Sequence, residues 1–178
     1  MFFNLYSNNG NGINFYNGTS FAIATNKEPH YIEIDRQNTS NIVKCDNIQK
    51  VSGTSSSTSN AVTLKIFARG DLNAAYSNGS SRCFYLDILN YDNNEHYRFV
   101  PCIRRLDNKP GMYEIYHGQF YVNAGSGEFK VGPIINNLPK EYIPLEYILT
   151  NSNAYIDTGI VVTNTHKFNF KYAYHANV

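Results

Sequence analysis

The strongest constraint on this chain is a period of two. Lys167-Phe168-Asn169-Phe170-Lys171-Tyr172-Ala173-Tyr174 alternates with little interruption, and Tyr31-Ile32-Glu33-Ile34-Asp35 sets two isoleucines between acids. Neighbouring side chains of a strand point to opposite faces, so this text predicts one set in a core and the other in solvent. Further strand candidates cover residues 2–6, 13–16, 21–24, 42–45, 62–68, 84–89, 96–100, 112–116, 120–122 and 155–160. Between them stand Asn9-Gly10, Asn17-Gly18, Asp92-Asn93-Asn94, Lys109-Pro110-Gly111, His117-Gly118 and Gly125-Ser126-Gly127. Such pairs supply the positive φ that hairpin turns require. Residues 52–60, small and polar, read as a loop within a domain, because strand text resumes on both sides. Pro101 has no N–H for a ladder, so the strand before it is expected to end there or to run along an edge. No segment of ten or more residues carries a helical amphipathic period. Many short strands at this spacing predict an all-β sandwich or barrel.

Composition narrows the classes further. The 178 residues suit about one domain, large enough to bury about two-thirds of the surface of its unfolded chain. Phe and Tyr number 11 and 15, Trp is absent, and the hydrophobic share of 42% with 16% charged residues lies outside the region of disordered chains. A net charge of +1 argues against an electrostatic grip on nucleic acid. The start, Met1 to Tyr6, is too short and too quickly polar for a signal peptide. No apolar run approaches the roughly 20 residues that span a bilayer, so membrane insertion is not expected. Cys45, Cys83 and Cys102 are odd in number and form no CxxC pair, so buried free thiols are expected.

Three stretches carry a family likeness. One runs Phe99-Val100-Pro101-Cys102-Ile103-Arg104-Arg105, then Asp107-Asn108, Gly111-Met112-Tyr113-Glu114 and Gly118-Gln119-Phe120-Tyr121-Val122-Asn123-Ala124-Gly125-Ser126-Gly127. Another is Leu145-Glu146-Tyr147-Ile148 with Ala154-Tyr155-Ile156-Asp157-Thr158-Gly159-Ile160. The third, weak alone, is His30-Tyr31-Ile32-Glu33-Ile34-Asp35 with Ile42-Val43-Lys44-Cys45-Asp46. Together they resemble the concanavalin A-like, laminin-G-like sandwich domains of surface proteins and phage virion proteins of gut bacteria. The resemblance implies an all-β, two-sheet antiparallel jelly-roll sandwich with a binding or structural role; neither enzymatic activity nor a cofactor is expected. It points to a virion fibre, appendage or capsid decoration, or to a bacterial surface assembly, located on a virion or outside the cell. The partners it implies are other copies of the chain or neighbouring virion proteins.

In that family the text found at residues 145–178 opens the domain, whereas here it follows the closing text at residues 99–127. Residues 1–134 then read as the main body, 135–144 as a connector, and 145–178 as opening strands that complete the same or a neighbouring copy. A fragment straddling two repeats, a circular permutant and an exchange of strands between copies all satisfy this order. In each, the alternating aromatics after Pro144 need a sheet to cover them, because a bare hydrophobic strand invites aggregation. Strand addition and exchange of identical elements are established routes to assembly.

Catalytic readings find little. Glu33-Ile34-Asp35 resembles the E-(I/L)-D-x-x-E text of some glycoside hydrolases on this fold, but Asn38 holds the third acidic position and a neutral amide cannot move the proton. Strand alternation alone accounts for the tripeptide. Among His30, His96, His117, His166 and His175, no pair stands at ligand spacing with a Cys or carboxylate cluster, so no metal site is expected. G-x-S-x-G is absent, and Gly125-Ser126-Gly127 reads as a tight turn. Asp46, Asp71, Asp92 and Asp157 are the acids available for a calcium rim, but no D-x-D-x-D loop supplies the necessary oxygens. The functional rival to a structural module is a lectin-like adhesion domain that binds host-surface glycan. Tyrosine offers a ring face for stacking and a hydroxyl for hydrogen bonding, which makes Tyr91, Tyr97, Tyr113, Tyr116 and Tyr121 the candidate ligand-binding residues. The same tyrosines would equally serve as half-buried strand residues.

Overall fold

A computed structural model describes residues 3–7, 12–15, 19–22, 28–54, 62–68, 80–135, 138–150 and 153–175. Among these residues the chain is all-β, with sixteen strands and no helix. β1 (Phe3–Ser7), β2 (Gly12–Phe15) and β3 (Thr19–Ala22) form a small antiparallel sheet. The large sheet uses β4 (His30–Gln37), β5 (Ser40–Cys45), β6 (Ile48–Thr54), β8 (Ser80–Asn90), β9 (Glu95–Arg104), β10 (Lys109–Glu114), β11 (Gln119–Val122) and β16 (His166–His175). Their order is β11-β10-β9-β8-β16-β4-β5-β6. Three short strands extend it: β12 (Phe129–Val131) pairs with β14 (Ile148–Thr150), β14 with β8, and β13 (Tyr142–Pro144) with β9. A separate ribbon pairs β7 (Val62–Ile66) with β15 (Ile156–Val162).

The last strand therefore sits near the middle of the sheet, between β8 and β4 of the same chain. Phe168 stands opposite Ile34 on one side and Ile88 on the other, and Phe170 stands opposite Ile32 and Leu86. All six side chains are buried, as the alternation requires. Val43, Phe99 and Met112 continue this inner face, and Leu64, Ile66, Ile156 and Val162 of the β7–β15 ribbon pack into the same core. The structure thus has β-sandwich character, with a large and a smaller layer sharing one apolar interior.

The outer face is polar. Glu33 bridges Lys44 of β5 at 2.6 Å and Lys167 of β16 at 2.9 Å. The hydrogen bond to Lys44, then that to Lys167, holds its carboxyl below the ordinary range. The Tyr91 hydroxyl donates to Asp35 at 3.0 Å. Glu33 and Asp35 stand side by side on the outer face of β4, with lysines and tyrosine as neighbours.

Two proline expectations are corrected. β9 does not stop at Pro101 and is not an edge; it runs on to Arg104 with β10 alongside. The Pro101 carbonyl accepts from Leu145 N–H, so its nitrogen faces the same side. There β9 changes partners: pairing to β8 ends at Phe99, and pairing to β13 starts at Cys102. The missing donor falls in that gap. Similarly, the turn expected at Lys109-Pro110-Gly111 lies one step earlier, over residues 105–108, with Asn108 at φ 54°. Pro110 is a strand residue whose nitrogen faces β11, one residue beyond the last β11 rung at Gly111. Residues 52–54 of the expected small-residue loop belong to β6, and residues 55–60 lie outside the described ones.

Truncating the central strand is the severest test of this layout. Phe170→Ala is expected to lower stability by about 3–5 kcal/mol in urea unfolding. Ile134→Ala, at a position 67% exposed, is expected to change it by less than about 0.5 kcal/mol. A second test uses His166, which is fully buried and whose Nε2 has no hydrogen-bond partner among the described residues. Burial holds this imidazole below the ordinary histidine range, against a small opposing pull from Asp92. The fold therefore prefers the neutral ring. Its contribution is complete above about pH 6.5 and is lost as pH falls through the lowered value. The urea midpoint is expected to drop between pH 7 and pH 5, and the drop to be shallower in His166→Gln.

Candidate functional site

The inner face of the large sheet changes character along β9, β10 and β11. Beneath the β7–β15 ribbon it is apolar, with Phe99 and Met112 fully buried. Two residues along β9 stands Tyr97, then Glu95; along β11 stand Tyr121, then Gln119. The β8–β9 turn adds Asn93, and the β10–β11 turn adds His117. Thr158, Gly159, Ile160 and Val161 of β15 form the opposing wall, with Gly159 at φ 68°, where other residues are strained. Together these residues enclose an open cleft of about 540 Å³.

Beside the cleft stands Glu114, which is fully buried at the end of β10. One of its carboxylate oxygens accepts the backbone N–H groups of Arg98 at 2.8 Å and Tyr116 at 3.1 Å. The other accepts the backbone N–H of His117 at 2.7 Å and contacts the His117 Nδ1 at 2.8 Å. A buried carboxylate is tolerated when its lone pairs are filled in this way. Glu114 thereby fixes the turn that aims His117 into the cleft. The imidazole lies over Tyr97, with ring centroids 4.9 Å apart, and its Nε2 stands 3.7 Å from a Glu95 carboxylate oxygen.

Glu95 in turn accepts from Asn93 at 3.1 Å and from the Tyr97 hydroxyl. Burial first, and the hydrogen bond to Glu95 second, push the Tyr97 hydroxyl up to about 12. The same bonds, with that from Tyr97 leading, keep the Glu95 carboxyl below its ordinary range. Tyr121 donates to Gln119 at 2.6 Å and packs on Phe99 at 5.3 Å between centroids. The cleft thus offers two tyrosine rings anchored in the core and a rim of carboxamides, a carboxylate and an imidazole.

Of the five candidate tyrosines, only Tyr97 and Tyr121 meet here. Tyr91 bonds Asp35 on the outer face, and Tyr113 stacks on Tyr142 at 4.4 Å. Tyr116 is 59% exposed beside His96. Sequence reasoning missed Glu95, Glu114, His117 and Gln119. The available signal was that Gln119 and Tyr121 flank the Phe120 of one family-like text, while Thr158, Gly159 and Ile160 end the other. Folding brings those two texts together. The Asn123 side-chain carbonyl accepts from Gly125 N–H at 2.9 Å and from Tyr155 N–H at 3.0 Å, tying the Gly125-Ser126-Gly127 turn to the chain before β15. Gly125 is required there, because a Cβ would stand 1.8 Å from the Asn153 carbonyl oxygen.

The calcium candidates do not converge. Asp92 accepts from the Thr165 hydroxyl, Asp157 from Gly159 N–H, and Asp46 from Tyr31 N–H, while Asp71 lies outside the described residues. Cys45, Cys83 and Cys102 are free and buried. Burial raises the Cys83 and Cys102 thiols to about 12. Burial and then the Asp46 charge raise Cys45 to about 11. One histidine departs from expectation. His30 lies 2.6 Å from the Asp46 carboxylate, next to Cys45, although 16 positions separate it from Asp46 in the chain. The side chain of His175 lies outside the described residues.

No protein-family model, curated protein or solved structure matches the chain. The cleft is read from its own chemistry.

Glu114→Ala is expected to orphan the N–H groups of Arg98, Tyr116 and His117. The variant should lose about 2–4 kcal/mol of stability by urea unfolding, since each buried unsatisfied donor costs about 1–3 kcal/mol.

Proposed function

We propose that this chain is a non-enzymatic carbohydrate-binding module on a concanavalin A-like jelly-roll sandwich, carried by a virion or a bacterial surface assembly. The observation that carries the reading is the placement of Tyr97 and Tyr121 on the floor of one cleft, rimmed by Asn93, Glu95, His117 and Gln119. A pyranose presents an apolar face of C–H groups and an equatorial belt of hydroxyls. The Tyr121 ring suits the first, with Tyr97 beneath the His117 imidazole beside it, and carboxamide and carboxylate groups suit the second. The rings are seated against the core and His117 of the rim is held by Glu114, so little freedom is lost there on binding. Turnover is not expected. All the close acceptor positions of Glu114 are filled by N–H groups, and Glu33 is on the opposite face of the sheet, held by two lysines.

A structural role as fibre, appendage or capsid decoration is the second reading. The family likeness supports it, and so does the strand β6, which among the described residues ends the large sheet with one side unpaired. Such an edge accepts a strand from another copy or a neighbouring virion protein.

A glycan array probed with the full chain tests the first reading. Reproducible binding to a defined saccharide class is expected. It should weaken by about tenfold or more, about 1.4 kcal/mol, in Tyr121→Ala and in Gln119→Ala. Absence of glycan affinity together with a defined oligomer in native mass spectrometry would replace it with the structural reading.

A further inference from the structure

We propose that the end of the β4–β5 pair is a binding site for one zinc-type divalent transition-metal ion, with His30 Nδ1, Cys45 Sγ and an Asp46 carboxylate oxygen as its ligands. The three donor atoms all lie within 4.8 Å of one another. His30 Nδ1 is 2.6 Å and Cys45 Sγ is 3.7 Å from the same Asp46 oxygen.

The backbone produces this convergence. Antiparallel pairing sets Ile32 opposite Cys45 and carries on as Asp46 N–H to the Tyr31 carbonyl at 2.8 Å. His30 shares a strand face with Ile32, and Cys45 shares one with Val43, so both side chains point inward. Asp46 is left-handed, at φ 51°, and opens the turn into β6. Its carboxylate therefore lies across the ladder end, where one oxygen takes the Tyr31 N–H at 2.9 Å and the other faces His30 and Cys45. An outer partner that orients a ligating carboxylate is a regular feature of metal centres.

The donor set selects the ion. One nitrogen, one sulfur and one carboxylate oxygen suit zinc or cobalt, whereas calcium and magnesium require oxygen alone. Tetrahedral bonds of about 2.0–2.3 Å place donors roughly 3.3–3.6 Å apart. Cys45 and Asp46 stand close to that separation, and His30 and Asp46 need to part by about 0.7–1 Å. Three protein ligands leave a fourth position for water, and Asp46, with 45% of its side chain exposed, gives access from solvent. Charge also balances. Binding breaks the Cys45 S–H bond and releases that proton to solvent, a bond forms from sulfur to the metal, and the neutral imidazole carries its proton on Nε2. The thiolate and the carboxylate then neutralise the two positive charges of the ion. No electron moves. β8 and β16 lie between β4 and the cleft strands, so this site is independent of the carbohydrate reading.

The test is a cobalt titration of the chelator-stripped full chain under reducing conditions. One equivalent is expected to bind, with a tetrahedral visible spectrum and a thiolate-to-cobalt charge-transfer band that zinc displaces. Cys45→Ser should abolish that band, and His30→Gln and Asp46→Asn should weaken binding by about tenfold or more. Cys83→Ser and Cys102→Ser should keep it. X-ray absorption of the zinc-loaded wild type, which needs no variant to fold, should show one sulfur and otherwise nitrogen or oxygen neighbours. An absent charge-transfer band, a band that survives Cys45→Ser, or a zinc shell without sulfur would overturn the site.

Discussion

The pairing of β16 on both of its sides is the interaction on which the rest of the structure depends. Lys167 to Tyr172 pair with β4, and His166 to His175 pair with β8. Without this strand the large sheet would fall into two pieces, each with a newly bared edge and half a core. Its inward residues His166, Phe168, Phe170 and Tyr172 are all buried, whereas Lys167, Asn169 and Lys171 stay partly exposed. β16 joins the last strand of the chain to strands formed from far earlier residues, so the sheet closes only after long-range loops close. That is the entropy-costly route to a fold.

The same sheet then does two jobs with one face. Where the β7–β15 ribbon covers it, apolar residues fill the interior. Beyond the ribbon, tyrosines give way to amides, an acid and an imidazole, and the surface hollows into a cleft. Glu114 marks the transition, being as buried as its apolar neighbours but satisfied entirely by N–H groups from the strand and turn around it. The polar site is therefore an extension of the core, with its side chains held from beneath. That is the condition for binding without large reorganisation.

How far the sequence could be read differs by element. The alternation in β4 and β16 assigned the buried and exposed faces residue by residue. The prolines misled because a proline is judged by its own missing donor, while its tolerance depends on which neighbour lies opposite. Pro101 sits where β8 gives way to β13, a fact of register between strands distant in sequence. The tyrosines were only partly informative. Tyr97 and Tyr121 share the inner face, whereas Tyr91 and Tyr113 meet other partners, and composition alone cannot separate these fates.

The sequence by itself determined that the chain is built of strands, which side of β4 and β16 is apolar, and where the β8–β9 and β10–β11 turns fall. These are properties of neighbouring residues, set by a period of two and by the φ that Asn and Gly accept. Tertiary structure alone decided that β16 is central, that Glu114 steers His117 over Tyr97, and that His30 meets Cys45 and Asp46. Each of these depends on which strands pair and in what register. That choice is made by the whole core at once, and no single stretch of the sequence records it.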